Sequence, residues 1–95
     1  MADSNVQKKM VQNFPVELDP RKLDDYRVIQ FLGSTNDENP SSQAAALLEI
    51  TDYLYGSKQW AKIIEHIRSM NDGFAPMEKV SEFITATFEA FQAKN

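Results

Sequence analysis

The sequence contains no cysteine, three glycines and a single histidine among its 95 residues. Without cysteine, disulfides and thiolate metal sites are excluded, and a reducing compartment is expected. The isolated Gly33, Gly56 and Gly73 do not make a glycine-rich loop that cradles a phosphate. No stretch approaches the ~20 apolar residues that cross a bilayer, and residues 1–13 hold no apolar run typical of a signal peptide. We therefore expect a cytoplasmic protein with no membrane segment and no cofactor.

Basic residues are also too few and too scattered for a nucleic-acid partner to be expected. The net charge is −4, and residues 23–56 hold six acidic residues against Arg27 alone. Residues 57–70 hold three basic residues against Glu65. Proteins that bind nucleic acid gain affinity from a basic face that releases counterions from phosphates. We interpret the uneven charge as acidic and basic segments that face each other or face solvent.

The apolar content predicts one folded domain. Hydrophobic residues make up 42% of the chain, and a chain of this length buries roughly 60–65% of its surface on folding, enough for one core. The polar start predicts a flexible N-terminal segment over residues 1–13, followed by a single helical domain over residues 14–95. Within that domain, Phe14 to Leu18 should be extended because a proline follows Phe14.

Four helices are predicted from their end signals. The first begins either at Pro20, with Asp19 as its N-cap, or nearer Leu23, and ends at Gly33. The second begins at Pro40 and ends at Gly56. The third is capped by Ser57 and ends before the Asn71-Asp72-Gly73 turn, and the fourth has Pro76 near its first position. The stripe of the third helix follows the i, i+3, i+4, i+7 pattern and consists of Trp60, Ile63, Ile64 and Ile67.

The fourth helix carries an apolar arc that is wider than one buried face needs. At 100° per residue, Phe83 and Phe88 mark the edges of an arc about 140° wide, against a minimum of about 100°. We therefore expect Phe83, Phe88 and Phe91 to include contacts to a partner, with burial in the core as the alternative. The fold class is predicted to be all-α, a small compact bundle of about four helices with a short extended N-terminal segment.

Catalysis and metal binding find no support in the side-chain pattern. His66 has Lys62 and Met70 four residues away on either side, so no second ligand stands at metal-binding spacing. Asp24 and Asp25 point about 100° apart on a helix and are expected to initiate it. No serine lies in a nucleophile elbow. We therefore expect no enzyme activity.

Two further readings concern the second and third helices. Their junction at Gly56 resembles a helix-turn-helix DNA reader, but the exposed set on the third helix, formed by Lys58, Lys62, Glu65 and Arg68, supplies few phosphate contacts. Trp60 lies on a regular helical stripe and is expected in the core.

The stretch from Leu54 to Met77 resembles tail assembly chaperones of long-tailed bacteriophages. In that family a pattern of Leu-x-Gly-x-x-Gln-Trp, an apolar pair, His-(Leu/Ile)-Arg, Gly and Pro recurs before a final helix. The residues that carry this pattern here are Leu54, Gly56, Gln59, Trp60, Ile63, Ile64, His66, Ile67, Arg68, Gly73 and Pro76. The resemblance extends over about residues 14–91, and Tyr55 stands where leucine is commoner.

The resemblance implies a non-catalytic function in the host cytoplasm. Such chaperones bind the tape measure protein and keep its apolar helices soluble until tail-tube subunits polymerise around it. It also implies self-association and a longer, frameshifted form whose extra domain contacts the tail-tube protein, with this chain as the short form. The main alternative is a small phage or bacterial helical adaptor or inhibitor that binds another protein.

Overall fold

The computed structural model describes residues 6–34 and 40–92, and within them all side chains except those of residues 32–34, 40–42 and 92. A hairpin of two short strands precedes a 3₁₀ helix and four α-helices. The elements are β1 (Gln7–Val11), β2 (Phe14–Leu18), a 3₁₀ helix (Pro20–Asp24), α1 (Tyr26–Ser34), α2 (Pro40–Tyr55), α3 (Ser57–Met70) and α4 (Met77–Gln92).

The hairpin corrects the all-α prediction, because the fold is mostly helical but begins with a two-stranded antiparallel sheet. The strands pair from Gln7 opposite Leu18 to Val11 opposite Phe14. Residues 7–13, expected in a flexible segment, form a strand and a turn instead, while residues 1–5 lie outside the described part. The extended conformation predicted for Phe14 to Leu18 is confirmed.

The turn of this hairpin explains why its strands pair in this register. Gln12 and Asn13 both have left-handed backbone angles, with φ of 50° and 69°. Two consecutive residues with positive φ form the turn whose twist matches that of paired antiparallel strands. Val11 and Phe14 flank the turn and exchange backbone hydrogen bonds. Along the ladder, pairs that exchange hydrogen bonds alternate with pairs that do not.

The start predicted at Pro20 begins a 3₁₀ helix, and the α-helix itself begins at Tyr26, three residues after the alternative start at Leu23. The Asp19 side chain accepts a hydrogen bond from the Arg21 amide and caps the 3₁₀ helix, whose first residue is Pro20. Asp25 then begins α1, since its carbonyl accepts from the Val28 amide at 2.9 Å and its carboxylate from the Arg27 amide at 2.8 Å. The helix-initiating role predicted for Asp24 and Asp25 is therefore confirmed for Asp25 alone, because Asp24 is the last residue of the 3₁₀ helix.

Gly56 is the only residue between α2 and α3. Its amide donates to the Asp52 carbonyl, its carbonyl accepts from the Trp60 amide, and its φ is +83°. An L side chain rarely adopts this angle, so one glycine both ends α2 and caps α3. The prediction that Ser57 caps α3 was wrong, because Ser57 is already the first helical residue.

The core runs along the contacts between successive helices and under the hairpin. Helix α1 contacts α2, α2 contacts α3, and α3 contacts α4, while β1 packs against α4 and β2 against α2 and α3. The fully buried side chains come from both the helices and the hairpin. The largest are Phe83, Leu54, Ile63, Ile67, Val16, Thr51 and Thr87. Trp60 is partly buried and stacks on Tyr55, with 5.0 Å between ring centroids.

Candidate protein-interaction surface

The three phenylalanines predicted for a partner surface on α4 lie mainly inside the molecule. Phe83 is 0% exposed and Phe91 is 5% exposed, so neither presents a surface to a partner. Phe88 is partly buried and packs against the same core. For Phe83 and Phe91 the alternative of core burial is correct, and Phe88 contributes only part of its side chain to the surface.

The hairpin is the physical reason for this burial. The Phe14 ring of β2 meets the Phe83 ring edge-on at 6.3 Å. Lys9 of β1 donates to the Ala90 carbonyl at 3.2 Å and lies 5.6 Å from the centre of the Phe91 ring. The broad apolar arc of α4 is therefore shared between α3 on one side and the hairpin on the other.

The motif residues on α3 form a scaffold. Ile63 and Ile67 are buried, while Ile64 and Trp60 are partly buried against the core. The Pro76 carbonyl accepts the first hydrogen bond of α4, from the Val80 amide at 3.0 Å. These residues, with Gly56 and Gly73, either define where helices begin and end or pack one helix against another.

Gln59, another residue of the motif, joins α3 to the outer edge of β2. Its amide oxygen accepts from the Glu17 backbone N–H at 2.7 Å. Its amide nitrogen donates to the Glu17 carbonyl at 2.8 Å and to the Tyr55 carbonyl at 3.0 Å. One side chain thus satisfies both outward backbone groups of Glu17 and fixes the hairpin on the helices.

His66 has a comparable structural position. Its Nε2 lies 2.8 Å from the Gln12 carbonyl in the hairpin turn, which requires that Nε2 carry the proton and donate. Its ring centroid lies 5.3 Å from that of Phe14. The boundary position predicted for His66 is confirmed, and the residue ties the turn of the hairpin to α3.

Three large apolar side chains are exposed within a few residues of one another at the turn between α3 and α4. Met70 is 47% exposed, Phe74 70% and Met77 60%. They occur within eight consecutive residues around one turn, so all three belong to one end of the α3–α4 pair. We call Met70, Phe74 and Met77 the turn patch.

The backbone of this turn is fixed by hydrogen bonds. The Gly73 amide donates to the Arg68 carbonyl at 2.8 Å, the Phe74 amide to the Asn71 carbonyl at 3.1 Å, and the Asn71 side chain to the Ile67 carbonyl at 2.8 Å. Gly73 has φ of +89°, which favours glycine. Phe74 is therefore presented from a defined turn, and its exposure reflects the position of the backbone.

A cluster of charged and aromatic groups beside α1 has a structural explanation. The Tyr53 hydroxyl donates to the Asp25 carboxylate at 2.9 Å, and the Arg27 guanidinium lies 4.3 Å from the centre of the Tyr53 ring. The Arg27 amide and the Tyr53 hydroxyl hold the pKa of Asp25 below its ordinary value. These contacts join α1 to α2, and every group in the cluster has a protein partner.

Other kinds of site find little support in the described residues. The cleft between α1 and α2, lined by Phe31 and Ile50 among others, has a volume of about 200 Å³, below the 300 Å³ or more of typical ligand pockets. The groove beside Glu17 and Gln59 is larger, about 950 Å³, but it is open to solvent. Among residues 6–34 and 40–92, no three His, Asp or Glu side chains group closely enough to hold a metal ion. Nor does any helix in this part of the chain have the length and apolarity to cross a membrane.

The turn patch had no distinctive signal in the sequence. Met70 and Phe74 flank the Asn-Asp-Gly turn, and Met77 lies at the start of α4 within its apolar stripe. A residue count around the helix assigns Met77 to the core, whereas its position in the first turn of α4 leaves it uncovered.

Comparison with protein-family models, curated proteins and solved structures finds no match to this chain.

Proposed function

We propose that this chain is a non-catalytic tail assembly chaperone, which binds apolar helices of a phage tape measure protein and keeps them soluble. The observation that carries the proposal is the turn patch, three large apolar side chains exposed on a turn that is fixed by hydrogen bonds. The resemblance of residues 54–77 to that chaperone family supplies the class of client.

The chemistry of the turn patch suits a client with variable apolar sequence. Methionine is unbranched and polarisable, so Met70 and Met77 can adapt to different partner side chains, a property common at promiscuous binding surfaces. An exposed phenylalanine such as Phe74 supplies the large apolar anchor on which binding energy concentrates. Together they provide a rigid anchor between two adaptable contacts.

The motif residues have a structural role, separate from the binding role proposed for the turn patch. Gly56, Gln59 and His66 fix helix ends and hold the hairpin, so the pattern shared with the chaperone family describes a scaffold. The scaffold leaves the turn patch uncovered at one end. An adaptor or inhibitor of another protein would use the same surface, and the identity of the client distinguishes these two functions.

A DNA-reading function is not favoured by the junction between α2 and α3. A helix-turn-helix motif joins its helices by three or four residues, whereas Gly56 alone separates α2 from α3. On the exposed side of α3, the Arg68 guanidinium already pairs with Glu65 at 3.2 Å.

Co-expression with the tape measure protein of the same phage tests the proposal. We expect the wild-type chain to raise the soluble yield of the tape measure protein and to co-purify with it. A Phe74→Asp, Met77→Asp double variant should lose most of both effects while circular dichroism shows an unchanged helix content. The matched control is Ile29→Asp, which places a carboxylate on an equally exposed apolar residue of α1.

The outcomes separate the function from its location. If the wild-type chain neither binds nor solubilises the tape measure protein, the chaperone function is rejected. If the wild type succeeds and the Ile29 variant fails while the turn-patch variant works, the function stands and its surface lies on α1.

A further inference from the structure

The two outer edges of the hairpin differ in how their backbone groups are satisfied. In β2 the residues whose backbone N–H and C=O groups point outward are Pro15 and Glu17. The backbone groups of Phe14, Val16 and Leu18 point to β1 and pair with it. Pro15 has no N–H to offer, and Gln59 binds both outward groups of Glu17. The outer edge of β2 is therefore closed to a further strand.

The outer edge of β1 is open. Its outward positions are Lys8 and Met10, since Gln7, Lys9 and Val11 exchange hydrogen bonds with β2. Within residues 6–34 and 40–92, no group accepts from or donates to the outward backbone N–H and C=O of Lys8 and Met10. We call these four groups the β1 edge. Such a row of unpaired groups is a template for another strand.

The surface that α4 shares with the hairpin turn at the end of β1 is acidic. Glu78, Glu82 and Glu89 of α4 line an open groove together with Gln12, the residue that follows β1. Lys79 approaches Glu82 at 3.6 Å, but both side chains are about half exposed, so this pair neutralises little of the charge. At 1.5 Å per residue, the row from Glu78 to Glu89 is about 16 Å long. A five-residue strand is about 17 Å long.

Neither lysine of β1 forms an ion pair with the glutamates of this groove. The Lys9 ammonium is engaged with the Ala90 carbonyl and the Phe91 ring. Lys8 points to the opposite face of the sheet, where it lies 3.7 Å from Glu17. A strand added to β1 would therefore place alternate side chains over the glutamates of α4, and positive side chains are the complement of that surface.

A second copy of the chain fits the β1 edge poorly. Two β1 strands could pair antiparallel with Lys8 opposite Lys8, or with Lys8 opposite Met10, which brings Lys9 opposite Lys9. Either register places two lysines directly opposite each other, which is destabilising. The remaining central register pairs Met10 with Met10 and brings Lys8 opposite Gln12. Gln12 has a left-handed φ of 50° and ends the strand, so this ladder would be short.

We propose that the β1 edge binds an extended segment of another protein, with lysine or arginine on the side chains that face α4. The segment adds a third, antiparallel strand to the hairpin, and its basic side chains lie over Glu82 and Glu89. This interaction uses neither the turn patch nor a helical client, so it is independent of the proposed chaperone function.

The test uses a blocked nonapeptide of alternating lysine and valine, titrated into isotope-labelled full-length chain. Binding should shift the amide resonances of residues 6–11 and slow hydrogen exchange of the Lys8 and Met10 amides at least tenfold. Met10→Pro should weaken binding at least tenfold, because it removes an outward N–H at a position equivalent to that of Pro15. Met10→Ala keeps the N–H and is the matched control, with affinity within threefold of wild type.

The Met10→Pro variant has the same net charge as wild type, so it separates strand pairing from general attraction between a basic peptide and an acidic protein. A peptide with glutamate in place of lysine should bind at least tenfold more weakly. Binding with no slowing of exchange at Lys8 and Met10 overturns the proposal, even where the proline variant fails to fold. An absence of binding at a peptide concentration of about 1 mM would also overturn the proposal. Dimerisation of the wild type through Lys8 and Met10 would assign the edge to a second copy instead.

Discussion

The buried hydrogen bonds between α2 and α4 allow a sharp test of what holds the helices together. The Tyr55 hydroxyl donates to the Thr87 hydroxyl at 2.9 Å, and Thr87 donates in turn to the Phe83 carbonyl at 2.9 Å. Thr87 is fully buried and Tyr55 nearly so. The two substitutions that break this chain are expected to differ in their effect because they leave different groups unsatisfied.

Thr87→Val removes the acceptor of the Tyr55 hydroxyl and leaves a buried donor without a partner. The expected loss of unfolding free energy is about 1–3 kcal/mol. Tyr55→Phe removes only the first hydrogen bond, because Thr87 still donates to the Phe83 carbonyl, and should lower stability by about 1 kcal/mol. In a domain of this size each kcal/mol corresponds to about 4–8 °C in Tm. The Tyr55→Phe, Thr87→Val double variant should be less destabilised than the sum of the single variants by about 1 kcal/mol.

Urea unfolding followed by circular dichroism measures all four members of this cycle. Burial raises the pKa of Tyr55, so the unfolded chain ionises first and the wild type should lose stability as pH rises above the ordinary tyrosine value of 10.0. Tyr55→Phe should reduce that alkaline loss. Equal destabilisation by the two single variants, together with strictly additive effects in the double variant, would refute the reasoning.

Three further perturbations test the connections around this core. Gln59→Ala frees two backbone groups of β2 and should lower the unfolding free energy by about 2 kcal/mol, with faster hydrogen exchange in the hairpin than in Gln59→Glu, which keeps one acceptor. Gly73→Ala forces an alanine to φ of +89° and should destabilise by about 1–2 kcal/mol in thermal unfolding, although no atom beyond the adjacent residues lies within 4 Å of the added Cβ. Hydrogen bonds from Arg27 and Tyr53 lower the pKa of Asp25, so the stability they provide is complete above the unfolded value and is lost as pH falls below the ordinary 3.8. Asp25→Asn should therefore show a smaller fall in the urea midpoint on acidification, and an unchanged fall would contradict this account.

The helices were predictable because their ends depend on local chemistry. Asp19, Pro40, Gly56 and Gly73 act within a few residues of their own position, through fixed φ angles or single side-chain hydrogen bonds. The stripe on α3 repeats at helical spacing and is buried as expected. Two end signals differed: α1 continues through Gly33 to Ser34, and Gly56 alone connects α2 and α3 and takes the capping position predicted for Ser57.

The hairpin was not predictable from local chemistry. A single two-stranded hairpin is marginally stable in water and depends on packing against other elements. Here Gln59 and His66 supply side-chain hydrogen bonds to the strand and turn from more than forty residues away. The sequence of β1 also conceals its pattern, because Lys9 faces inward and occupies a position where alternation predicts an apolar residue. The Gln12-Asn13 turn lacks the glycine that usually marks such hairpins.

The sequence did contain one indirect sign of this missing layer, the apolar arc of α4 that is wider than one helix contact requires. That excess has two physical explanations, a partner protein or another part of the same chain, and the residue pattern is identical in both. The structure assigns Phe83 and Phe91 to the second explanation, since the hairpin covers them. The consequence reaches the interaction surfaces, because a hairpin that covers α4 also brings its own outer edge to the surface. The hairpin thus covers most of the apolar face of α4, exposes the backbone groups of the β1 edge, and leaves the turn patch uncovered at the end of α3 and α4.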